Sequence, residues 1–186
     1  MKIFLYFMFY IFKVDQIFSF FLSCISQAKV KRYSERYQQK IKFVPQGGFD
    51  FEISGPKNNF AIHETSHIKS GTYIECSGGV KIGKYFHCGR GLTIFSSNHN
   101  WRSKKLIPYD KVSIKKPVII GDAVWIGANV TILPGVTIND AAVIAAGSVV
   151  VHDVGFGEVV GGNPANVIAK RNVDEAAILL KDSSFF

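Results

Sequence analysis

A six-residue repeat is the feature that most limits what this chain can fold into. From residue 120 onward an aliphatic residue recurs at every sixth position, in a column made of Ile120, Ile126, Ile132, Ile138, Ile144 and Val150. A second column runs four residues behind it and consists of Val124, Val130, Val136, Ala142 and Ser148. A helix repeats about every 3.6 residues and a strand alternates by two, so neither explains this spacing. The repeat predicts a solenoid of short parallel strands that turn at fixed corners.

The same spacing occurs earlier in the chain, with one shift of two residues across positions 77–79. The aliphatic column there consists of Ile62, Ile68 and Ile74, followed after the shift by Ile82, Cys88 and Ile94. An insertion at a corner produces such a shift, because loops leave a solenoid at its surface. A glycine follows the column directly at Gly83, Gly89, Gly121 and Gly127. We expect these glycines to supply the backbone dihedrals that a sharp corner needs.

The repeat stops between Ile94 and Ile120, which predicts an extruded loop over residues 95–118. Long loops that leave a compact domain commonly carry function. His99 stands near the start of this loop, between Asn98 and Asn100. Imidazole changes charge in the physiological pH range and can accept a proton from a hydroxyl, although a lone surface histidine is more often inert. His99 is therefore the first candidate for chemistry.

Length and composition fit one folded domain. The 186 residues are 47% hydrophobic and 19% charged, which excludes a disordered chain or a coiled coil. The net charge of +8 arises in residues 1–50 and 102–116, and neither stretch has a groove-reading helix, so we expect no nucleic-acid partner. The cysteines Cys24, Cys76 and Cys88 contain no CxxC pair. We expect buried thiols in a reducing compartment rather than a disulfide framework.

The first 50 residues form a separate N-terminal arm that we expect to be helical. Residues 3–12 are all apolar, and Lys13 and Asp15 separate them from a second apolar stretch at 17–25. Ten helical residues measure about 15 Å, half of the roughly 30 Å of a bilayer's hydrocarbon core, which disfavours a spanning helix. Basic residues follow from Lys29 onward, so the arm is suited to a membrane interface. Packing on the main domain or on a neighbouring subunit is the alternative.

The repeats and the segments around them resemble a known family. Residues 120–150, together with 62–94, resemble the hexapeptide-repeat acyltransferases, and residues 94–171 are most similar to their maltose, galactoside and capsule O-acetyltransferase branch. The segments that carry this similarity are PVIIGDAVWIGANVTILPGVTI, VIAAGSVV and GGNPANVI. The resemblance implies an all-β, left-handed parallel β-helix over residues 51–171 and a homotrimer with active sites between subunits. Residues 172–186 are left as a C-terminal tail.

The resemblance also implies a mechanism. A histidine at the position of His99 is the general base that deprotonates an acceptor hydroxyl, which then attacks the thioester of acetyl-CoA directly. Related γ-class carbonic anhydrases hold zinc with three histidines, but residues 100–151 contain no histidine, so no metal is expected. Relatives in the galactoside branch place a serine hydroxyl near the oxyanion where this chain has Ala128. Backbone N–H groups near Gly127, or the amide of Asn98 or Asn100, would have to serve instead.

Two groups of binding residues follow from the same resemblance. Those expected at acetyl-CoA are Trp125, Gly127, Ala128, Ala146, Asn163, Pro164, Lys170 and Arg171. Those expected at the saccharide are Tyr73, Glu75, Ser77, Asn98, Asn100 and Trp101, with Trp101 and Tyr109 able to stack on a pyranose. Small residues at the corners of a tight coil need no ligand, and basic residues near the end of a chain are as often solvated.

The expected function is acetyl transfer from acetyl-CoA to a saccharide hydroxyl in capsule or lipopolysaccharide synthesis. The aromatic arm favours a lipid-linked glycan, and hence a cytoplasmic protein at the cytoplasmic face of the inner membrane. Two alternatives remain open at this point: acetylation of a small soluble sugar or antibiotic, and a β-helix scaffold without catalysis.

Overall fold

The computed structural model describes residues 2–185, most of which form a parallel β-helix with three long sheets. Face I consists of β2 (Phe51–Ser54), β5 (Thr72–Glu75), β8 (Thr93–Phe95), β13 (Thr131–Ile132) and β16 (Val149–Val150). Face II consists of β3 (Phe60–Ile62), β6 (Val80–Ile82), β11 (Val118–Ile120) and β14 (Thr137–Ile138). Face III consists of β7 (His87–Cys88), β12 (Trp125–Ile126), β15 (Val143–Ile144), β17 (Glu158–Gly162) and β18 (Ala165–Lys170), the last antiparallel to its neighbour.

Shorter elements lie outside the three faces. A parallel pair joins β1 (Phe43–Val44) to β4 (Ile68–Lys69), and an antiparallel pair joins β9 (Ser97–His99) to β10 (Ser113–Lys115). The helices are α1 (Lys2–Ile11), α2 (Val14–Tyr37) and α3 (Val173–Lys181), with a short 3-10 turn at Lys57–Asn59.

The two columns of the repeat form the core of the β-helix. The chain passes from face II to face III to face I in each coil, so every third repeat returns to the same face and pairs in register, as Ile120 does with Ile138 and Ile126 with Ile144. Every member of both columns is buried. Each buried isoleucine contributes about 1.5–3 kcal/mol. The predicted solenoid of parallel strands is confirmed.

The earlier repeats continue the same core. Ile62 pairs with Ile82, Ile74 with Ile94, and Cys88 with Ile126. The two-residue shift falls between the end of β5 and the start of β6, at the corner that joins face I to face II. The shift therefore marks a corner insertion, as the spacing predicts.

The expected role of four corner glycines was wrong. Gly83, Gly89, Gly121 and Gly127 are absent from the positive-φ positions, which fall two residues later at Tyr85, Ala123, Asn129 and Gly91. Instead, a Cβ on Gly89 would lie 2.6 Å from the backbone nitrogen of Ala128, and one on Gly127 would lie 2.5 Å from that of Ala146. The reason for glycine is the close approach of the next coil's backbone.

The N-terminal arm has two parts. The turns of α2 after residue 25, which we call the mounted turns, pack on the β-helix, and the part before them is exposed. Tyr37 is buried, its hydroxyl donates to the carbonyl of Ile53 at 3.3 Å, and the ring of Tyr33 lies 5.4 Å from that of Phe51. Helix α1 has no buried residue and meets α2 at a bend of 64°. Among residues 2–185 no single helix is long and apolar enough to cross a membrane, although α1 and α2 together satisfy that criterion as a bent pair.

The β17–β18 hairpin ends face III, and the C-terminal segment with helix α3 returns along that face, where the ring of Phe185 stacks on that of Tyr85. The side chain of Asn172 accepts hydrogen bonds from the N–H groups of Asp174 and Glu175, which caps α3. Cys76 and Cys88 are buried as expected, but Cys24 is exposed. The expectation for Cys24 was wrong because it lies on the part of α2 before the mounted turns.

Candidate functional site

The loop expected over residues 95–118 is a hairpin that leaves the corner between faces I and II. Strand β9 pairs antiparallel with β10, with His99 opposite Ser113. The N–H of Lys116 donates to the carbonyl of Ser96 at 2.9 Å, so the hairpin returns to the point where it left. His99 therefore stands at the outer end of a strand rather than on an irregular loop.

His99 is held at this strand end by two neighbours. Its backbone N–H donates to Oδ1 of Asn98 at 2.8 Å. Its ring stacks on the ring of Tyr109, with centroids 3.9 Å apart and planes inclined by 13°. The aromatic contact fixes the plane of the imidazole while the side chain stays exposed.

A carboxylate stabilises the turn that carries Tyr109. Oδ2 of Asp110 accepts from the side-chain amide of Asn100 at 2.8 Å, and Oδ1 accepts from the N–H of Val112 at 2.9 Å. The hydrogen bond from the N–H of Val112, together with those from Ser103 and Asn100, lowers the pKa of Asp110. The carboxylate is thus ionised at neutral pH and joins the two arms of the hairpin.

Glu75 places a second carboxylate at the foot of the hairpin. Oε1 accepts from the N–H of Ser77 at 2.7 Å, and Oε2 accepts from the hydroxyl of Ser97 at 3.0 Å and the N–H of Ser96 at 3.1 Å. Burial alone raises the pKa of Glu75, but the hydrogen bonds from Ser77, Ser97 and Ser96 outweigh it and the pKa is lowered. Glu75 is a fixed anion at the base of the site.

A cavity of about 830 Å³ lies between the hairpin and the next coil. Its polar lining includes His99, Asn98, Glu75, Asp110 and Lys111, and its apolar wall consists of Phe95, Leu106, Val112, Leu133 and Pro134. The combination of an exposed imidazole, fixed hydrogen-bond acceptors and an apolar wall suits a ring that carries hydroxyl groups.

The residues expected at a saccharide are only partly brought together. Glu75 and Asn98 line the cavity with His99, whereas Ser77 binds Glu75 and Asn100 binds Asp110. Tyr73 lies on face I, where its hydroxyl is 3.4 Å from that of Ser54. Trp101 is not among the cavity residues, and Arg102 lies 4.7 Å from its ring centroid. Tyr109 stacks on His99, in the place where we expected a sugar contact.

Five of the residues expected at acetyl-CoA lie at a different edge of the prism, whereas Lys170 and Arg171 lie beside Glu158 and Gly157 at the other edge of face III. Gly127, Ala128 and Ala146 occupy the corner between faces III and I, where the N–H of Gly147 donates to the carbonyl of Ala128 at 2.8 Å. Asn163 and Pro164 form the β17–β18 turn at the same corner, one coil further on. The hairpin of His99 leaves the corner between faces I and II. A single chain therefore separates the two groups by the width of face I.

Trp125 and Arg171 share a second cavity, of about 540 Å³, on face III. Nε of Arg171 donates to the carbonyl of Ala141 at 2.8 Å, and the cavity is closed on one side by Leu179 and Phe185 from the C-terminal segment. Lys170 is exposed at the end of β18. Residues 2–185 contain no group of three or more His, Cys, Asp or Glu residues arranged to hold a metal ion.

Several site residues did not emerge from the sequence. Leu133 and Pro134 follow Ile132, which pairs with Ile94 one coil below. Because the hairpin leaves the coil after Ile94, counting the six-residue repeat without the hairpin's residues could have placed Leu133 and Pro134 beside it. Asp110 and Ser97 gave no such signal, because their roles depend on the antiparallel pairing inside the hairpin.

Comparisons with known proteins point to the same coils. Residues 117–152 match the family described as bacterial transferase hexapeptide (six repeats). A chloramphenicol acetyltransferase of Agrobacterium fabrum is 43% identical over 68 residues, which are 37% of this chain and 32% of that protein. The chain spans only about a quarter to a third of the length of the curated relatives that it matches.

Solved structures match over a longer part of the chain. A maltose O-acetyltransferase from Clostridium difficile 630 is 30% identical with a TM-score of 0.51, over 69% of this chain and 63% of its own. A hexapeptide-repeat acetyltransferase of Vibrio cholerae, solved with acetyl coenzyme A, is 26% identical with a TM-score of 0.59, over 76% and 77%. Together with the repeat and its register, these matches show that the chain belongs to the hexapeptide-repeat acyltransferases.

Proposed function

We propose that the protein is an acetyl-CoA-dependent O-acetyltransferase that acetylates a hydroxyl of a saccharide. The observation that carries this proposal is the exposed imidazole of His99, stacked on Tyr109 at the mouth of a cavity with Glu75 at its base. The named activities of the relatives support the acyl-transfer class.

His99 acts as the general base. A saccharide hydroxyl in the cavity gives its proton to the imidazole as its oxygen bonds to the carbonyl carbon of the thioester. The C–S bond of the tetrahedral intermediate then breaks, and the imidazolium returns the proton to the departing thiolate. Glu75 and Asn98 orient the acceptor through hydrogen bonds to its other hydroxyls. Backbone N–H groups near Ala128 are our candidates for the oxyanion donors.

The complete site requires two copies of the chain. Because the His99 hairpin and the corner of Ala128 and Ala146 lie at different edges, the hairpin of one subunit would meet the Ala128 corner of another. We propose a homotrimer of left-handed β-helices, since cyclic symmetry repeats such a contact at every interface. Small residues at this corner leave the backbone open to pantetheine, Trp125 flanks it, and Lys170 and Arg171 meet phosphates.

The acceptor that we favour is a glycan of capsule or lipopolysaccharide synthesis carried on a lipid, which would place the protein in the cytoplasm at the inner membrane. A small antibiotic is the second candidate. The similarity to a chloramphenicol acetyltransferase favours it, as does the apolar wall formed by Phe95, Leu106 and Leu133.

The test is release of CoA thiol from acetyl-CoA with a panel of saccharides and antibiotics. We expect His99→Ala to lower the rate by about 10²–10⁴-fold, the usual contribution of a general base. His152→Ala is the matched control, because His152 is exposed and is not among the residues that line the cavity, and it should keep full activity. Retention of most of the rate by His99→Ala would remove the assignment, and acetyl-CoA binding without turnover on any acceptor would favour a scaffold.

A further inference from the structure

We propose that the exposed part of the N-terminal arm binds the surface of an anionic lipid bilayer, so that the base of the β-helix faces the membrane. This exposed arm comprises residues 2–25, which are α1 and the first half of α2. The inference adds a partner surface and an orientation to the proposed function, but it rests on the arm alone and not on the chemistry at His99.

Helix α1 is apolar on all sides. Nine of its ten residues are aliphatic, aromatic or methionine, and all of them are exposed, from Met8 at 38% to Ile3 at 85%. Successive residues of a helix point about 100° apart, so these side chains surround the axis. A groove on a protein covers one face of a helix, whereas lipid surrounds it. A bilayer is therefore the partner that satisfies every side of α1.

The shape of the arm matches partial insertion. Helix α1 measures about 15 Å, too short for a hydrocarbon core of about 30 Å. The chain then bends by 64° next to Lys13, which takes a left-handed conformation with φ of 47°. Lys13 and Asp15 stand at this bend, where α1 can enter the acyl region while both charges remain among the headgroups.

The charge that follows the exposed arm is complementary to anionic headgroups. Residues 26–42 contain six basic side chains and one acidic side chain, Glu35. Lys31, Arg32, Lys40 and Lys42 are exposed, whereas Arg36 donates to the carbonyl of Gly55 at 2.9 Å. Each exposed lysine or arginine near an anionic surface strengthens binding by roughly fivefold.

The mounted turns of α2 fix the orientation of the β-helix relative to the bilayer. Tyr37 packs against Phe60, with ring centroids 5.2 Å apart, and Tyr33 packs against Phe51. These contacts attach α2 to the first coil of the β-helix. A bilayer that holds the exposed arm therefore meets the molecule at its first coil, with the later coils further from the surface.

The protein carries its own probe for the test. Cys24 is exposed near the end of the exposed arm, whereas Cys76 and Cys88 are buried. An environment-sensitive fluorophore on Cys24 of the full chain should shift to the blue with vesicles of phosphatidylcholine containing about one third phosphatidylglycerol, and much less with phosphatidylcholine alone. The same vesicles should protect unlabelled Cys24 from maleimide.

Paired variants separate headgroup binding from other effects. Lys31→Glu with Arg32→Glu removes two contacts, so binding to the anionic vesicles should weaken by about 30-fold or more. Lys81→Glu with Lys84→Glu makes the same charge change on the β-helix and should bind like the unchanged protein. Phe7→Ser with Phe18→Ser, both at exposed positions, should abolish the blue shift.

Two results would overturn the inference. One is equal loss of binding in the two charge-reversal pairs. The other is protection of Cys24 without vesicles that rises with protein concentration, which would show that a second copy covers the exposed arm. CoA release with a soluble acceptor should be the same in all these variants, so failure of membrane binding is distinguishable from failure of acetyl transfer.

Discussion

Individual glycines at the corners of the β-helix are required for two different physical reasons. Gly89 has ordinary backbone dihedrals but faces the backbone of Ala128, whereas Gly147 has a φ of 73° and no atom within 4 Å of a Cβ. The first position requires glycine for space, and the second favours it for conformation. Sequence alone does not separate the two, because the distinction depends on the neighbouring coil.

Alanine at these two positions should therefore have unequal effects. For Gly89→Ala we expect a loss of about 2–3 kcal/mol in the free energy of unfolding, because backbone cannot move aside for the new methyl group. For Gly147→Ala we expect about 1 kcal/mol, the cost of a left-handed conformation for a residue with a Cβ. Urea denaturation midpoints measure both, and an equal or larger loss for Gly147→Ala would contradict the contact argument.

A histidine pair on the early coils makes stability depend on pH. The rings of His67 and His87 lie 4.5 Å apart. Burial, followed by the nearby His87, Lys69 and Lys42, lowers the pKa of His67 to about 4. Between pH 6.5 and 4 the unfolded chain binds more protons at this position than the folded chain, so stability falls as pH falls through that window.

His67→Gln should remove part of that acid sensitivity. Since His67 is only half-buried, we discount the shift for solvent screening and expect a difference of about 1–2 kcal/mol in the loss of unfolding free energy between pH 7.5 and pH 4.5. Urea titrations of the two proteins at both pH values measure it. The same acid loss in both proteins would exclude His67 as the cause.

Among the elements, the β9–β10 hairpin lies outside the three faces, because its two strands pair with each other in a separate sheet. Beyond its strand pairing, it is held at its foot by Glu75, which accepts from the hydroxyl of Ser97, and at its turn by the two hydrogen bonds that Asp110 accepts from Asn100 and Val112. Its turn carries three exposed basic residues, Arg102, Lys104 and Lys105. The order of the hairpin's turn, and hence the position of His99, depends on the Asp110 carboxylate.

Asp110→Ala should loosen the hairpin without unfolding the β-helix. We expect trypsin to cleave after Arg102, Lys104 and Lys105 roughly tenfold faster, because the turn loses two solvent-exposed hydrogen bonds to a charged group and opens locally more often. Asp153→Ala is the control, since Asp153 accepts a similar bond from the N–H of Thr137 on the β-helix. Equal cleavage in the two variants would argue against the role of Asp110.

The six-residue period predicted the elements whose buried positions recur in every coil, but it did not predict the elements outside the repeat. The columns at Ile120 and Val124 predicted strands and core, because every buried position recurs with the coil. The β9–β10 and β17–β18 hairpins were missed, since both are antiparallel and outside the repeat. Helix α3 was also missed, although Asn172 before Asp174 and Glu175 is a recognisable capping signal.

At the scale of the whole molecule, the residues proposed for the site lie at two corners of the prism. The sequence and its family resemblance supplied His99, Glu75, Ala128 and Ala146 as candidates, but which of them share an edge depends on how three faces close into a coil. The extra contacts of Asp110 and Tyr109 depend on the hairpin's pairing. The proposed trimer joins these corners across each subunit interface.

Mixing two inactive variants tests this division. Ala146→Leu should block the acetyl-CoA corner, and His99→Ala removes the base. If each site draws one corner from each of two subunits, random mixed trimers formed from equal amounts should regain about a quarter of the original sites. CoA release after joint refolding measures this recovery. Complete inactivity of the mixture, with each variant folded, would show that both groups act from one chain.

The excursion between Ser96 and Lys116 ends where it began, with its two ends joined by a backbone hydrogen bond. The strands on either side are held by other coils, as Ile94 is by Ile132 and Val118 by Val80. Because the two ends of this segment lie side by side, its length does not affect how the coils stack. Insertions, deletions and substitutions can therefore accumulate in it during evolution while the β-helix stays the same. Acceptor choice in such a chain can then be exchanged as a module, separately from the scaffold that displays it.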